Sequence, residues 1–233
     1  VNCSSYPGQE LEVFRHARNW KAYWSGVARR YLRGNALEVG AGIGANVPLL
    51  HDAARRWTFL EPDPQLCGEL RQELEAPEYS HCEAVCCSVR DLSADLQFDS
   101  ILYIDVLEHI PDDAAELAEA ASRLKPRGHL IVLVPAHQSL FTPFDKAIGH
   151  QRRYNVQSLS ACAPAGLRTE AVQYMDSVGL LASLANRWVM RQSAPTQRQI
   201  NTWDRLMIPF SRWIDPLLGY RFGKSLLAVW SKD

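Results

Sequence analysis

A doubly wound α/β sheet is the fold class this sequence predicts, on three observations. Five β-rich runs alternate with helical stretches between residues 36 and 135, the alternation that builds a parallel sheet with helices on both faces. The first run, ALEV at 36–39, breaks into a glycine-rich turn, GAGIG at 40–44, which suits a strand end that approaches a nucleotide. The fourth, FDSILYID at 98–105, is apolar on both faces, as a strand covered on each side must be.

Residues 10–32 place Leu11, Phe14, Ala17, Trp20 or Lys21, Trp24, Val27 and Tyr31 at three- and four-residue steps, predicting an N-terminal helical cap. Gly34-Asn35 ends it, ALEV follows as a buried strand, and 45–54 resumes helical spacing. WTFLEPDP carries a second strand ending at Glu61, and the prolines at 62 and 64 stop it and open a helix over 64–74. A third strand is expected at 83–89, a fourth at 98–105, and a helix over 112–124 with acids in its first turn. KPRGHLIVLVP turns at 126–128 and starts a fifth strand that ends at Pro135. Beyond it the chain reads as a polar and aromatic loop, a helix near 156–165 and a strand near 168–174. A helical insertion over 178–222 and a final strand in KSLLAVWSK complete it. The expected organisation is one domain: a cap at 1–33, a core at 34–135, a substrate region at 136–177, a lid at 178–222 and a last strand at 223–233.

With 25 basic and 26 acidic side chains the net charge is −1, so no global field draws the chain to nucleic acid or an anionic membrane. No run of about 20 uncharged apolar residues appears, and the first residues lack a basic-then-apolar leader pattern. The expectation is a soluble cytoplasmic protein. Its six cysteines, Cys3, Cys67, Cys82, Cys86, Cys87 and Cys162, show no C-x-x-C pair and read as free thiols of a reducing compartment, with no metal site.

The glycine spacing alone fits two ligand classes. A dinucleotide would bring phosphate charge to the turn, but Glu38, two residues before Gly40, would repel it by up to several kcal/mol at low dielectric. The same carboxylate would attract an ammonium group; the alternative is that it turns into water as an ordinary strand-end acid. Glu61, at the end of the second strand, suits a ribose diol in either class.

LEVGAGIGANVPLL, FLEPDP, FDSILYIDVLEHIPDD, LKPRGHLIVLVPA and GHQRRY, in that order, resemble the motifs of class I S-adenosylmethionine-dependent methyltransferases of the bacterial small-molecule type. The resemblance implies a Rossmann-like, seven-stranded sheet whose last strand is antiparallel, and S-adenosylmethionine as cofactor with S-adenosylhomocysteine as product. It further implies that Glu38 meets the methionyl ammonium, that Gly40, Ala41, Gly42 and Gly44 line the methionine portion, and that Glu61 and Pro62 meet the ribose. Ser88 and Val89 would lie beside the adenine, and Ile104 and Asp105 beside the cofactor. Relatives commonly carry Gly-Asp or Gly-Thr where this chain has Cys87-Ser88, so an adenine contact here would be through backbone or hydroxyl.

Methyl transfer from a sulfonium is an in-line displacement governed by positioning, with a general base needed only when the acceptor must lose a proton. His109, His150 and Tyr154 are the catalytic candidates, His109 alternatively being a helix-start residue bonded to backbone. Arg152 and Arg153 could clamp a substrate anion, or pair internally with acids such as Asp145; His137 and Asp145 are further substrate-side candidates. The Trp-, Leu- and Arg-rich insertion reads as core or lid packing, or else as a surface for an apolar or lipid-linked substrate, a transient membrane contact or a dimer interface. The function expected is methyl transfer to an O, N or C atom of a small metabolite by a monomer or homodimer, without nucleic acid. The rivals are an NAD(P)-dependent oxidoreductase and a non-catalytic cofactor-binding subunit.

Overall fold

The computed structural model describes residues 10–52, 55–189 and 196–233. Seven strands form one sheet: β1 (Ala36–Val39), β2 (Trp57–Leu60), β3 (Cys82–Val85), β4 (Phe98–Ile104), β5 (Leu124–Pro135), β6 (Leu167–Met175) and β7 (Ser225–Lys232). Their spatial order is β3-β2-β1-β4-β5-β7-β6. β1 to β5 pair in parallel, and β7 inserts antiparallel between β5 and β6. The strand order reverses between β1 and β4, so the crevice beyond their carboxyl ends is where such a sheet offers room for a ligand. Residues 40–44 begin there.

Side-chain alternation along the central strands splits the core in two. Ile101 and Tyr103 of β4 join one buried cluster with Leu37, Val39 and Val132, while Leu102 and Ile104 join the other with Trp24, Trp57 and Phe59, as a two-residue period requires. Leu226 to Trp230 of β7 are all fully buried, which explains how the last strand occupies an interior place.

The helices are α1 (Glu10–Arg15), α2 (Arg18–Ala28), α3 (Val47–Leu50), α4 (Pro64–Glu73), α5 (Asp113–Ser122), α6 (Pro143–Ala147), α7 (Val156–Ala161), α8 (Ser177–Val189), α9 (Gln197–Thr202) and α10 (Ile208–Leu217). α4 starts where the prolines predicted, with Asp63 accepting from the backbone N–H of Gln65 and Leu66. Three expectations are corrected. The helix over 45–54 is a single turn, α3, closed by extended His51 (φ −53°, ψ 140°). The third strand stops at Val85 because Ser88 and Asp91 form a reciprocal cap on the turn Val89–Asp91. The cap helix is interrupted at His16-Ala17 and becomes α1 and α2.

The free-thiol reading is also corrected. Cys67 of α4 and Cys86 after β3 are joined in a disulfide with Cα atoms 5.7 Å apart, a separation that suits the bond. Sequence spacing misses it because the two meet only when β2-α4-β3 packs. Cys82, Cys87 and Cys162 are free, and Cys3 lies outside the described residues.

Three buried acids anchor the insertion. Asp204 accepts from the N–H groups of Asn19 (3.2 Å) and Trp20 (2.8 Å), capping α2, which has no side-chain cap of its own. Asp215 accepts from the Tyr23 hydroxyl (2.8 Å) and the N–H groups of Asp176 (2.7 Å) and Ser177 (3.1 Å). Asp176 accepts from Trp203 Nε1–H (2.7 Å) and the Ser211 hydroxyl (2.6 Å). The apolar residues divide: Ile200, Trp203 and Ile208 are buried, whereas Leu206, Phe210, Trp213 and Leu217, at three- and four-residue steps, face solvent, Trp213 being 79% and Leu217 83% exposed. Among the described residues no helix is long and apolar enough to cross a membrane.

Candidate active site

The glycine turn leaves β1 through a conformation a side chain resists. Gly40 has φ +71°, and a Cβ there would lie 2.7 Å from the Val106 side chain. Gly42 N–H donates to Glu61 Oε2 (2.8 Å) and Asp63 N–H to Glu61 Oε1 (2.9 Å), so the Glu61 carboxylate ties the end of β2 to the turn. Burial raises its pKa and these two bonds oppose the rise. The Ala41 N–H donates to Leu60 O (2.8 Å), and Pro62 is exposed beside them.

Glu38 points into the protein, not into water: it is 1% exposed, Oε1 accepts from Asn46 Nδ2 (2.7 Å), and Oε2 has no hydrogen-bond partner. Burial pushes its carboxyl up to about 7, against the pull of Asn46 and Lys21. Lys21 of α2, itself buried, donates from Nζ to Ala45 O (2.7 Å), and burial brings it down to about 8 while Glu38 opposes. Asp105 follows β4 with φ +54°, its N–H donating to Leu133 O (2.9 Å). It is solvent-accessible, yet enough protein crowds the carboxyl to raise it, with His150, Lys224, Lys21 and Arg153 pulling the other way. Ile104 is core. Ser88 donates from N–H (3.2 Å) and Oγ (2.6 Å) to Asp91 Oδ2, so its hydroxyl proton is used in the cap; Val89 is fully buried.

The loop after β5 commits its charges internally. Asp145, 1% exposed, accepts through Oδ1 from Arg153 Nε (2.9 Å) and Nη2 (2.7 Å) and His150 Nδ1 (3.0 Å), and through Oδ2 from Thr142 N–H (2.8 Å) and Oγ1 (2.7 Å). Against burial, these partners hold its carboxyl well below the usual range. Arg152 pairs with Asp113 (2.6 Å) and donates to Pro111 O (2.8 Å). Of the two alternatives for the arginines, the pairs seen are internal: Arg152 and Arg153 brace the loop. Asp145 likewise organises the loop from inside. Tyr154, 1% exposed, donates to Asp113 Oδ2 (2.7 Å), and burial with that acid raises its pKa. His137 has φ +65°, stacks on Tyr174 at 5.1 Å and meets Gly223 O through Nε2 (3.0 Å), fastening the loop to the sheet.

His150 and His109 do come together, their rings perpendicular at 4.6 Å. Burial and His150 bring His109 down to about 4, so its imidazole is neutral. Beneath them lies Glu108, fully buried, with neither carboxylate oxygen hydrogen-bonded. Burial, with Asp105 adding, pushes its carboxyl well above the usual range. An open depression of about 460 Å³, lined by Phe141, Lys146, Gly149, His150 and Gln151, reaches His150; no residue of the glycine turn lines it.

Sequence reasoning passed over Lys21, Asn46, Glu108 and Lys224. Lys21 carried a signal, a cation standing in an apolar stripe next to Trp20. Glu108 stood between Leu107 and His109 in a stretch whose outer residues drew attention. Nothing local marked Asn46 or Lys224.

Residues 37–130 match the family described as "Methyltransferase domain". Nodulation protein S of Sinorhizobium fredii is 33% identical over 100 residues, 42% of this chain and 45% of that protein. A protein of Mycolicibacterium smegmatis named "Probable S-adenosylmethionine-dependent methyltransferase" is 25% identical over 176 residues, 75% of this chain and 65% of its own length. The chain thus spans about half to two thirds of these relatives. The fold matches the N-methyltransferase NodS from Bradyrhizobium japonicum, a complex with S-adenosylhomocysteine, at a TM-score of 0.58 and 16% identity over 99% of this chain and 94% of that one. Residues 37–130 thus carry the methyltransferase-domain match, and the seven-stranded order with an antiparallel β7 gives the chain a fold similar to that of S-adenosylmethionine-dependent methyltransferases.

Proposed function

We propose that this chain binds S-adenosylmethionine at residues 38–44 and transfers its methyl group to a small-molecule acceptor held on the 136–155 side. The observation that carries the reading is Glu38: a buried carboxylate with one oxygen lacking any hydrogen-bond partner, beside a turn where a Cβ at Gly40 would not fit. A pyrophosphate would meet repulsion there; an ammonium supplies the missing partner. Glu61 fits the ribose, since each carboxylate oxygen accepts one backbone bond and retains capacity for a hydroxyl. Lys21, beside Glu38 and 2.7 Å from Ala45 O, suits the methionine carboxylate end.

Bound sulfonium supplies an electrophilic methyl carbon, and what remains for the chain is position. Asp145, Arg153, Asp113 and Arg152 hold the loop that carries His150 against the carboxyl end of β4. Neutral His109 is suited to take a proton from an oxygen or nitrogen acceptor. The exposed stripe of α10 supports an apolar or lipid-linked acceptor, or a transient surface contact.

Calorimetry with S-adenosylhomocysteine and with NAD tests the cofactor: binding of the first and not the second is expected, and the reverse overturns the reading in favour of an oxidoreductase. Labelled methyl transfer by the isolated chain into a small-metabolite extract tests the activity. Cofactor binding without any transfer would favour the non-catalytic subunit.

A further inference from the structure

Glu108, His109 and His150 converge in a second cluster. One ligand atom from each, a carboxylate oxygen and two imidazole nitrogens, lie within 4.8 Å of one another. Metal–ligand bonds of about 2.0–2.2 Å put neighbouring donors about 3–3.5 Å apart, so the cluster closes around an ion with side-chain shifts of about an ångström. Glu108 is fully buried with both oxygens lacking a hydrogen-bond partner, and the interior tolerates a bare carboxylate poorly. Its Oε1 stands 3.8 Å from His150 Nε2.

The surrounding contacts prepare His150 for ligation. Its Nδ1 meets Asp145 Oδ1 at 3.0 Å, an arrangement that places the proton on Nδ1 and leaves the Nε2 lone pair turned toward Glu108. A carboxylate behind a histidine in this way orients metal-ligating imidazoles and raises their basicity. The Asp145 carboxylate is itself fixed by Arg153 and Thr142, and Gln151 N–H donates to Glu108 O (2.7 Å), clasping the loop to the strand-end turn. Two sequence-distant segments are thereby held so that three donors converge.

We infer that Glu108, His109 and His150 bind a divalent first-row transition cation, at the place where the acceptor would meet the cofactor. Two imidazoles and one carboxylate leave coordination positions open. An acceptor hydroxyl fills one of them. This role rests on the methyl-transfer reading, whereas the binding of the cation does not. On the bound hydroxyl, the cation lowers the O–H pKa, so that the proton leaves to water in place of direct transfer to His109, which is then a ligand. The oxygen's electron pair then forms the O–CH₃ bond as the S–CH₃ bond breaks, and its electrons stay on sulfur as the neutral thioether.

Co²⁺ titrated into chelator-treated full chain tests the site by its visible d–d absorption, with S-adenosylhomocysteine calorimetry run on the same samples. The expected result is one equivalent bound with micromolar affinity and no thiolate bands in the near ultraviolet. Glu108→Gln and His150→Ala should each weaken Co²⁺ binding at least tenfold while S-adenosylhomocysteine affinity stays within error and the protein stays folded. Asp145→Asn should weaken it about tenfold or more through its hold on His150. The inference is overturned if Co²⁺ does not bind below 1 mM, if thiolate bands accompany binding, or if both ligand variants bind it as the parent does. Should either variant unfold, Glu108→Asp and His150→Gln replace it, with the same loss expected and an unchanged affinity overturning the inference. Loss of S-adenosylhomocysteine binding by the parent would instead strike the methyltransferase reading, leaving the cation result to stand or fall separately.

Discussion

The turn after β1 and the loop after β5 both follow carboxyl ends of parallel strands, yet they handle charge in opposite ways. At the turn, Glu38 keeps an unpartnered oxygen and Asp105 stays solvent-accessible. In the loop, Arg152, Arg153, Asp113 and Asp145 are spent on one another, and only the Glu108 carboxylate beneath it is left without a hydrogen bond. The first region keeps a carboxylate oxygen unpartnered, which suits the charged ligand proposed for it; the second uses paired charges as scaffolding. An unpaired buried acid costs several kcal/mol unless it is neutralised, so its persistence points to a ligand, whereas paired ions point to shape.

The largest effect should come from removing the scaffold. Asp145→Ala leaves Arg153 and His150, each with a side chain 11% exposed, without their acid, and should destabilise the protein by about 3–5 kcal/mol in urea denaturation. A loss under about 1 kcal/mol would mean that the loop pairs are ornamental. At the turn, Gly40→Ala forces a Cβ against Val106 at positive φ. About 2–4 kcal/mol of stability should go, together with measurable S-adenosylhomocysteine binding. Glu61→Ala removes two backbone bonds and the proposed ribose acceptor, and should weaken cofactor binding by about 1–3 kcal/mol; an unchanged dissociation constant in calorimetry would break the assignment.

A pH series sharpens the contrast. In the cofactor-free protein the Glu38 carboxyl is pushed up to about 7 by burial, and a cationic ammonium binds the ionised form. Affinity should therefore fall as pH drops through 7, approaching about tenfold per unit for one proton. Glu38→Gln should bind weakly and lose this slope. The same raised pKa stabilises the cofactor-free fold below the ordinary carboxylate range and loses that contribution as pH rises through about 7. Smallest is Ser88→Ala, which removes the cap on Val89–Asp91 and should cost about 0.5–2 kcal/mol; no change in the thermal midpoint would show the cap to be idle.

Local pattern was sufficient for most of the sheet. Two-faced apolarity marked β4 because a strand covered on both sides is apolar along nearly its whole length, and Pro62 and Pro64 marked the boundary of α4 because proline cannot continue a strand. Misplaced boundaries fell where side chains cap backbone locally, as Ser88 and Asp91 do, or where a single turn lacks length to show a period, as in α3. Of the candidate site, Glu38 and the glycines were legible because β1 and its turn are continuous in sequence. The partner of Arg152 and Tyr154 was not, since Asp113 reaches them from α5, whereas the Asp145 that holds Arg153 stands in the same loop and was a named alternative.

What the amino-acid sequence determined alone was the order of elements, the class of ligand suited to the turn, and the family through ordered motifs. The tertiary structure decided which charges remain available. Ion pairing, the Cys67–Cys86 bond, the Asp204 cap on α2 and the meeting of Glu108 with His150 depend on distances between residues far apart in the chain. Such distances are set by packing, to which a one-dimensional pattern is blind.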